Sequence, residues 1–401
     1  MINYDYFLAC KGNPMDLILS GLMWILIIGA IVYVVACIAA FSGLMKSVRT
    51  VEDYSPTVTV IVAARNEEKS IGSLLDDLTG QEYPPDRLRI IVVDDCSEDG
   101  TAAVVKRYMA ADSRFPRVEL IDAGAGHSPY SHKKRAVHAG IMSSTGEIIM
   151  TTDADCRAPR NWISGMVKRF TPGVDLVAGM VVVEGTGLFG RLEVLESTGI
   201  QYMAAGLMNM GFPVTCNGAN LAYRRAAFDR VKGFEGVGTI VSGDDDLLMQ
   251  KIARSSDVVF AVEPDTAVRT AAAESLSQFF NQRARWASKT TNYPSAAARG
   301  LLAMFFVFFT GIVVWLAAAL SGQASFGPLA AALGLKAAGD LLLTGYGVLN
   351  TGRPWLMLVF PLAECIHVPY ILSVVLKGVF GSFEWRGRRT GAVSIECGDN
   401  G

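Results

Sequence analysis

Charge is what this sequence has little of. Of its 401 residues 18% are charged and 51% hydrophobic, whereas soluble domains carry roughly a quarter charged residues. The balance argues against a freely soluble chain and makes a membrane an expected partner. No sign of charge is in excess either. Against 36 Lys and Arg stand 38 Asp and Glu, so there is no electrostatic case for nucleic acid as a partner. Cysteine is sparse, with seven residues that show neither CxxC spacing nor regular pairing. That argues against a disulfide framework and for a reducing compartment around the main domain. Two phosphate-binding signatures are also missing: a Walker loop, and a GxGxxG after the first predicted strand. A dinucleotide site is therefore not expected, and holding a diphosphate would take a metal plus basic side chains.

The apolar residues are segregated. Leu17 to Met45 contains no charge, and at about 1.5 Å per helical residue it more than spans a hydrocarbon core of about 30 Å. It is too long for a signal-peptide core and reads as an uncleaved anchor. Gly300 to Leu335 is also free of charge. Ser321-Gly322-Gln323 divides it, giving predicted spans near 300–320 and 326–349. A fourth stretch, Trp355 to Leu376, carries Pro361, Glu364, His367 and Pro369. Lys336 and Asp340 lie one helical turn apart in the third span, where pairing lowers their cost in lipid.

Basic residues flank the middle of the chain. Lys46 and Arg49 follow the first span, and Arg283, Arg285, Lys289 and Arg299 precede the second, which predicts a cytoplasmic middle region. Four crossings would put the C-terminus outside, yet Lys377, Arg386, Arg388 and Arg389 argue for inside. A re-entrant fourth segment reconciles the two. The expected organisation is a tail and anchor over 1–50, a cytoplasmic domain over 51–298, membrane helices over 299–380 and a basic tail over 381–401. Such a chain is an integral membrane protein, as in a bacterial inner membrane.

The middle region alternates strand and helix. Predicted strands at 57–64, 88–93, 118–121 and 147–152 are interleaved with helices at 67–78 and 101–109. That pattern argues for an α/β domain with a mainly parallel sheet, which binds ligands where its strands end. Asp94-Asp95 and Asp153-Ala154-Asp155 stand at two such ends. Paired carboxylates after a buried strand suit a hard divalent cation that also holds a diphosphate. Lys133, Lys134, Arg135, Arg283 and Arg285 are the basic candidates for that diphosphate. Gly243-Asp244-Asp245-Asp246 opens an amphipathic helix. Three carboxylates exceed what capping needs, and their repulsion should raise at least one pKa, as a general base wants. Gln282-Arg283-Ala284-Arg285-Trp286 precedes the second span, where Arg and Trp also serve as interfacial anchors.

Taken in order, these motifs resemble glycosyltransferase family 2, in particular its membrane-bound branch of cellulose, chitin and hyaluronan synthases and ceramide glucosyltransferases. The resemblance covers roughly residues 55–300. Ala64-Arg65-Asn66-Glu67 looks like the family's first-strand turn, and Asp94-Asp95 like the segment that holds the donor's base and ribose. Lys133-Lys134-Arg135-Ala136-Val137-His138-Ala139-Gly140 resembles the donor-contacting Lys-x-x-Ala-Leu-Asn-x-Gly, with Lys133 in the lysine position and His138 departing from the Asn. Asp153 and Asp155 match the metal-binding Asp-x-Asp. Cys216 to Asn220, followed by Arg224-Arg225, is similar to the acceptor-side loop. Asp244-Asp245 matches the acidic pair that carries the base, which the register puts at Asp245. Gln282, Arg285 and Trp286 complete a Gln-x-x-Arg-Trp signature.

The resemblance implies a GT-A-type fold with a mixed, mainly parallel sheet, flanked by N-terminal and C-terminal transmembrane helices. It implies inverting, single-displacement transfer from a nucleotide-sugar, a UDP-hexose first of all, with Mn²⁺ or Mg²⁺ on Asp153 and Asp155. Arg285 would neutralise diphosphate charge and Trp286 would form a platform under the acceptor. Four apolar segments, one of them broken, give little material for a polymer channel. The expected acceptor is therefore a lipid: a polyprenyl phosphate, a glycerolipid, a sphingolipid-like lipid or a hydroxylated carotenoid. The alternatives are a processive synthase extending a growing glycan, and a catalytically inactive nucleotide-binding module.

Overall fold

The computed structural model describes residues 14–111, 117–123, 130–240, 242–381, 384–385 and 388–389. The expected basic tail lies mostly outside them. The chain opens with helix α1 (Pro14–Met45). There follow β1 (Val58–Ala64), α2 (Ile71–Thr79), β2 (Leu88–Asp94), α3 (Thr101–Ala111), β3 (Arg117–Asp122), α4 (His132–Ser143) and β4 (Ile148–Asp153). The second half of the domain contains α5 (Trp162–Val167), β5 (Val174–Gly179), β6 (Val181–Glu184), α6 (Gly187–Asn209), β7 (Leu221–Arg224), α7 (Arg225–Arg230), α8 (Asp246–Ile252), β8 (Asp257–Ala261) and β9 (Val268–Ala271). Helix α9 (Leu276–Ser288) leads to α10 (Ala296–Leu320), α11 (Phe326–Asn350) and α12 (Phe360–Phe380).

Seven strands form one sheet in the order β3-β2-β1-β4-β7-β5-β8. All neighbours are parallel except β7, which runs antiparallel to β4 and β5. The inner strand β1 is buried on both faces, as a β-branched run covered by helices on each side must be. The sheet is thus mixed and mainly parallel. Helix α2 starts later than its periodicity suggests, because the preceding turn is committed elsewhere. Asn66 is left-handed at φ 55. The amides of Asn66, Glu67 and Glu68 donate to Ser97, Thr101 and Asp99, on the loop after β2 and the first residue of α3.

Among the described residues, four helical segments are long and apolar enough to cross a membrane: Met15–Met45, Ala296–Leu320, Phe326–Asn350 and Pro354–Phe380. The expected break between the second and third is a turn with Gly322 at φ 76. Helix α1 lies against α6 with backbones touching. A Cβ on Gly43 would fall 1.9 Å from the Gly206 carbonyl oxygen, and one on Gly206 2.0 Å from that of Ala40. Lys336 is fully buried and pairs with Asp340 at 2.6 Å, as its spacing predicts, and also with Glu364 on α12 at 2.8 Å.

The last apolar segment touches the α/β domain at both ends. At its start Arg353 donates to the Val183 carbonyl at 3.0 Å, and Leu356 packs with Val183 and Val194. At its finish Lys377 donates to Asn281 on α9 at 2.7 Å. Among the described cysteines Cys37, Cys156, Cys216 and Cys365 are free. Cys96 is disulfide-bonded, whereas the sparse cysteines argue against a disulfide framework.

Candidate active site

Strand register assembles the site. Ala64 pairs with Asp94 and Ala63 with Asp153, so three parallel strands end side by side and deliver both acidic segments to one edge. There a cleft of about 500 Å³ is lined by Ala64, Arg65, Asp95, Lys133, Asp153 and Asp155, and from α9 by Gln282 and Arg285. Asp155 is exposed and Asp153 half-buried. Glu67 stands at the turn beside this edge, bonded to Ser70 at 2.6 Å. Asp94 caps its own turn by accepting from the Ser97 amide at 3.0 Å.

The basic candidates separate. Lys133 on α4 reaches Asp153 at 2.5 Å and Asp244 at 3.4 Å. Burial opposes its charge, but these carboxylates outweigh burial and raise its pKa above the usual value. Lys134 points the other way and donates to the Ser242 carbonyl at 2.7 Å, and burial lowers its pKa to about 8. Arg135 is paired with Asp95. Arg283, expected as a diphosphate candidate, is instead buried against Glu196 at 2.7 Å, with its guanidinium over the rings of Phe279 (4.7 Å) and Trp286 (4.3 Å). Helical geometry explains the split. Gln282 and Arg285, three residues apart, share the cleft face, while Arg283 lies a hundred degrees round toward α6.

The acidic turn has unequal members. Asp246 is fully buried, accepting from the Cys216 amide at 2.8 Å, Thr215 at 3.0 Å and the Tyr293 hydroxyl at 2.6 Å. Asp245 is the N-cap of α8 and accepts from the Asp246 amide at 2.7 Å and the Gly218 amide at 3.1 Å. Lys289, 6% exposed at the end of α9, donates to Asp245 at 2.9 Å and Asp246 at 2.8 Å. Burial alone would raise the Asp245 pKa, but Lys289 more than reverses this and holds it below the usual carboxylate range. The raised member is Asp246, with burial the first cause. Among the described residues the ionic partner of Asp244 is Lys133. Gly218 stands close by, where a Cβ would lie 3.1 Å from an Asp244 oxygen.

Other motif residues turn out to be scaffold. Asn220 is buried, donating to the Met180 and Thr266 carbonyls and accepting from the Trp162 indole at 2.8 Å. Arg224 pairs with Glu147 at 2.9 Å, and Arg225 donates to the Ile141 carbonyl at 2.7 Å. His138, the departure from the Asn pattern, sits edge-on to Tyr130 at 4.8 Å, and burial lowers its pKa. Sequence reading missed Lys289 as a site residue. Its one signal was its place three residues beyond Trp286, where it had been counted only as a flanking charge.

Two family models match this chain: "Glycosyl transferase family 2" over residues 59–232, and "Glycosyl transferase family group 2" over residues 148–367, more than half of the sequence. A β-monoglucosyldiacylglycerol synthase of Synechocystis sp. is 28% identical over 238 residues, 58% of this chain and 47% of that protein. A 4,4'-diaponeurosporenoate glycosyltransferase of Staphylococcus aureus is 28% identical over 158 residues, 34% of this chain and 40% of that protein. The chain thus spans about half the length of such curated relatives. Among solved structures, a mannosyltransferase of Pyrobaculum calidifontis in complex with GDP-Man and Mn²⁺ superposes with a TM-score of 0.58 at 22% identity. The superposition covers 90% of this chain and 99% of that one, and shows a shared GT-A-like fold. On the matched models, and on a mixed sheet that ends in Asp94-Asp95 and Asp153-x-Asp155 in register, the chain belongs to glycosyltransferase family 2.

Proposed function

We propose that the protein transfers a sugar, with inversion, from a nucleotide-sugar donor, a UDP-hexose first of all, to a hydroxyl or phosphate oxygen of a membrane lipid. The observation that carries this is one cleft gathering Asp95, Lys133, Asp153, Asp155, Gln282 and Arg285, in a domain whose helix α6 lies against the apolar anchor. The names of the Synechocystis and Staphylococcus relatives support a lipid acceptor.

Asp153 and Asp155 offer hard carboxylate oxygens at a strand end, open to the cleft, which fits Mn²⁺ or Mg²⁺. When bound, the ion would supply charge stabilisation for the leaving nucleoside diphosphate. Lys133 and Arg285 face the same space and add positive charge to it, while Asp94 and Asp95 suit the base and ribose. The accepting carboxylate is Asp244. The family register favours Asp245, but both oxygens of Asp245 already take donors from Lys289, Asp246 and Gly218. Among the described residues Asp244 pairs with Lys133, at 3.4 Å. Donor phosphates competing for Lys133 would release Asp244 to take the acceptor's proton. The Trp286 ring carries the Arg283 guanidinium on its face, at 4.3 Å. Lipid extracts compared by mass spectrometry with and without the gene should differ by one glycolipid. Unchanged lipids with a lost polymer would favour the processive reading instead.

The domain faces the cytoplasm, where nucleotide-sugars are made. Contacts with that domain at both ends of Pro354–Phe380 support a segment that enters and leaves on the domain's side, and on this reading three helices cross and the basic tail stays inside. A single cysteine introduced in the tail, in a background without accessible thiols, should resist a membrane-impermeant maleimide in intact cells. It should react after permeabilisation. Labelling in intact cells would mean four crossings.

A further inference from the structure

Three adjacent aspartates need counter-charge, and two lysines from different elements divide them. Lys133 on α4 serves Asp244, which it shares with Asp153. Lys289, just past the last turn of α9, serves Asp245 and Asp246. Lys134, the third ammonium nearby, is spent on backbone carbonyls of the turn before Asp244. Lys289 is 4% exposed as a residue and approaches the acidic turn from the helix whose cleft face carries Gln282 and Arg285.

We infer that Lys289 is a positioning residue for transfer: it ties the acidic turn to α9, commits Asp245 and Asp246 to that tie, and so fixes Asp244 relative to Gln282 and Arg285. The inference rests on the reading of Asp244 as proton acceptor. Asp246 carries the tie further, because its carboxylate also gathers Thr215, the Cys216 amide and Tyr293. One ammonium therefore joins the acceptor-side loop, the start of α8 and the end of α9. Without it, a half-buried carboxylate and a buried one on adjacent residues lose their nearest cation. They must then move apart or bind a proton, and either response shifts the turn that carries Asp244.

The test uses the full-length protein in lipid vesicles, with Lys289→Met, which keeps length and removes charge. A misplacement on the order of 1 Å costs about 10²-fold in rate, so kcat should fall by about that factor with the donor KM unchanged. The double variant Lys289→Met/Asp245→Asn removes one charge of each sign and should recover most of the loss, which a mere packing defect would not do. Full kcat in Lys289→Met overturns the inference, as does a raised donor KM with kcat intact. So does a folded double variant no faster than the single one. If Lys289→Met does not fold, the double variant decides alone: active supports the tie, and inactive overturns it. Asp244→Asn is measured in parallel. If it stays active, the proton-acceptor reading fails whatever Lys289 does. If it is dead while Lys289→Met is normal, only the role of Lys289 fails.

Discussion

Replacing Asp244 with Asn should slow transfer by about 10²–10⁴-fold, the usual contribution of a positioned general base. The change conserves volume and removes the member of the acidic turn that, among the described residues, is paired with Lys133 at 3.4 Å. Donor affinity should hold or rise slightly, because Lys133 loses a competitor for the diphosphate and keeps Asp153 at 2.5 Å. Asp245→Asn should retain most of its turnover. Asn at that position still caps α8 and accepts from Gly218, and Lys289 keeps Asp246 at 2.8 Å. Steady-state rates and donor affinity for both variants check this. A dead Asp245→Asn beside a near-normal Asp244→Asn would return the base to the family register.

Chelation should have an effect as large. EDTA should abolish transfer, and Mn²⁺ or Mg²⁺ should restore it, since an unneutralised diphosphate is a poor leaving group. Asp155→Ala should stay inactive at saturating Mn²⁺. The residue lies exposed in the cleft at the end of β4, so its loss should leave the thermal unfolding midpoint unmoved. Full activity in chelator would remove the ion from the account.

Much of this could be read from the sequence, and the part that could not has a common cause. Strands of the parallel half announce themselves as apolar runs because burial on both faces demands it, and β1 and β2 lie within a residue of expectation. The acidic strand ends were legible for the same reason, a strand's end being a place that sequence can mark. Pairing was not legible. Arg283 and Arg285 look equivalent as letters, yet one is buried on Glu196 and the other lines the cleft. Asp244, Asp245 and Asp246 are identical in type and differ only in which amides and lysines reach them. Those partners come from residues 133, 215–218 and 289, far apart in the chain, and no local pattern reports them. Likewise Pro361 and Pro369 mark the fourth apolar segment in the sequence, but no local pattern reports that Arg353 and Lys377, near its two ends, reach the α/β domain.

The central claim is transfer to a lipid, and its most direct test is made with the purified full-length protein in vesicles. Radiolabelled UDP-hexoses and GDP-mannose are supplied one at a time with Mn²⁺, in vesicles of total membrane lipid, and the organic phase is counted. Transfer to a lipid requires that one donor move label into a single discrete lipid product, with Asp244→Asn as the blank. Label that enters only a water-soluble or insoluble polymer, or no label transfer from any nucleotide-sugar, would contradict it.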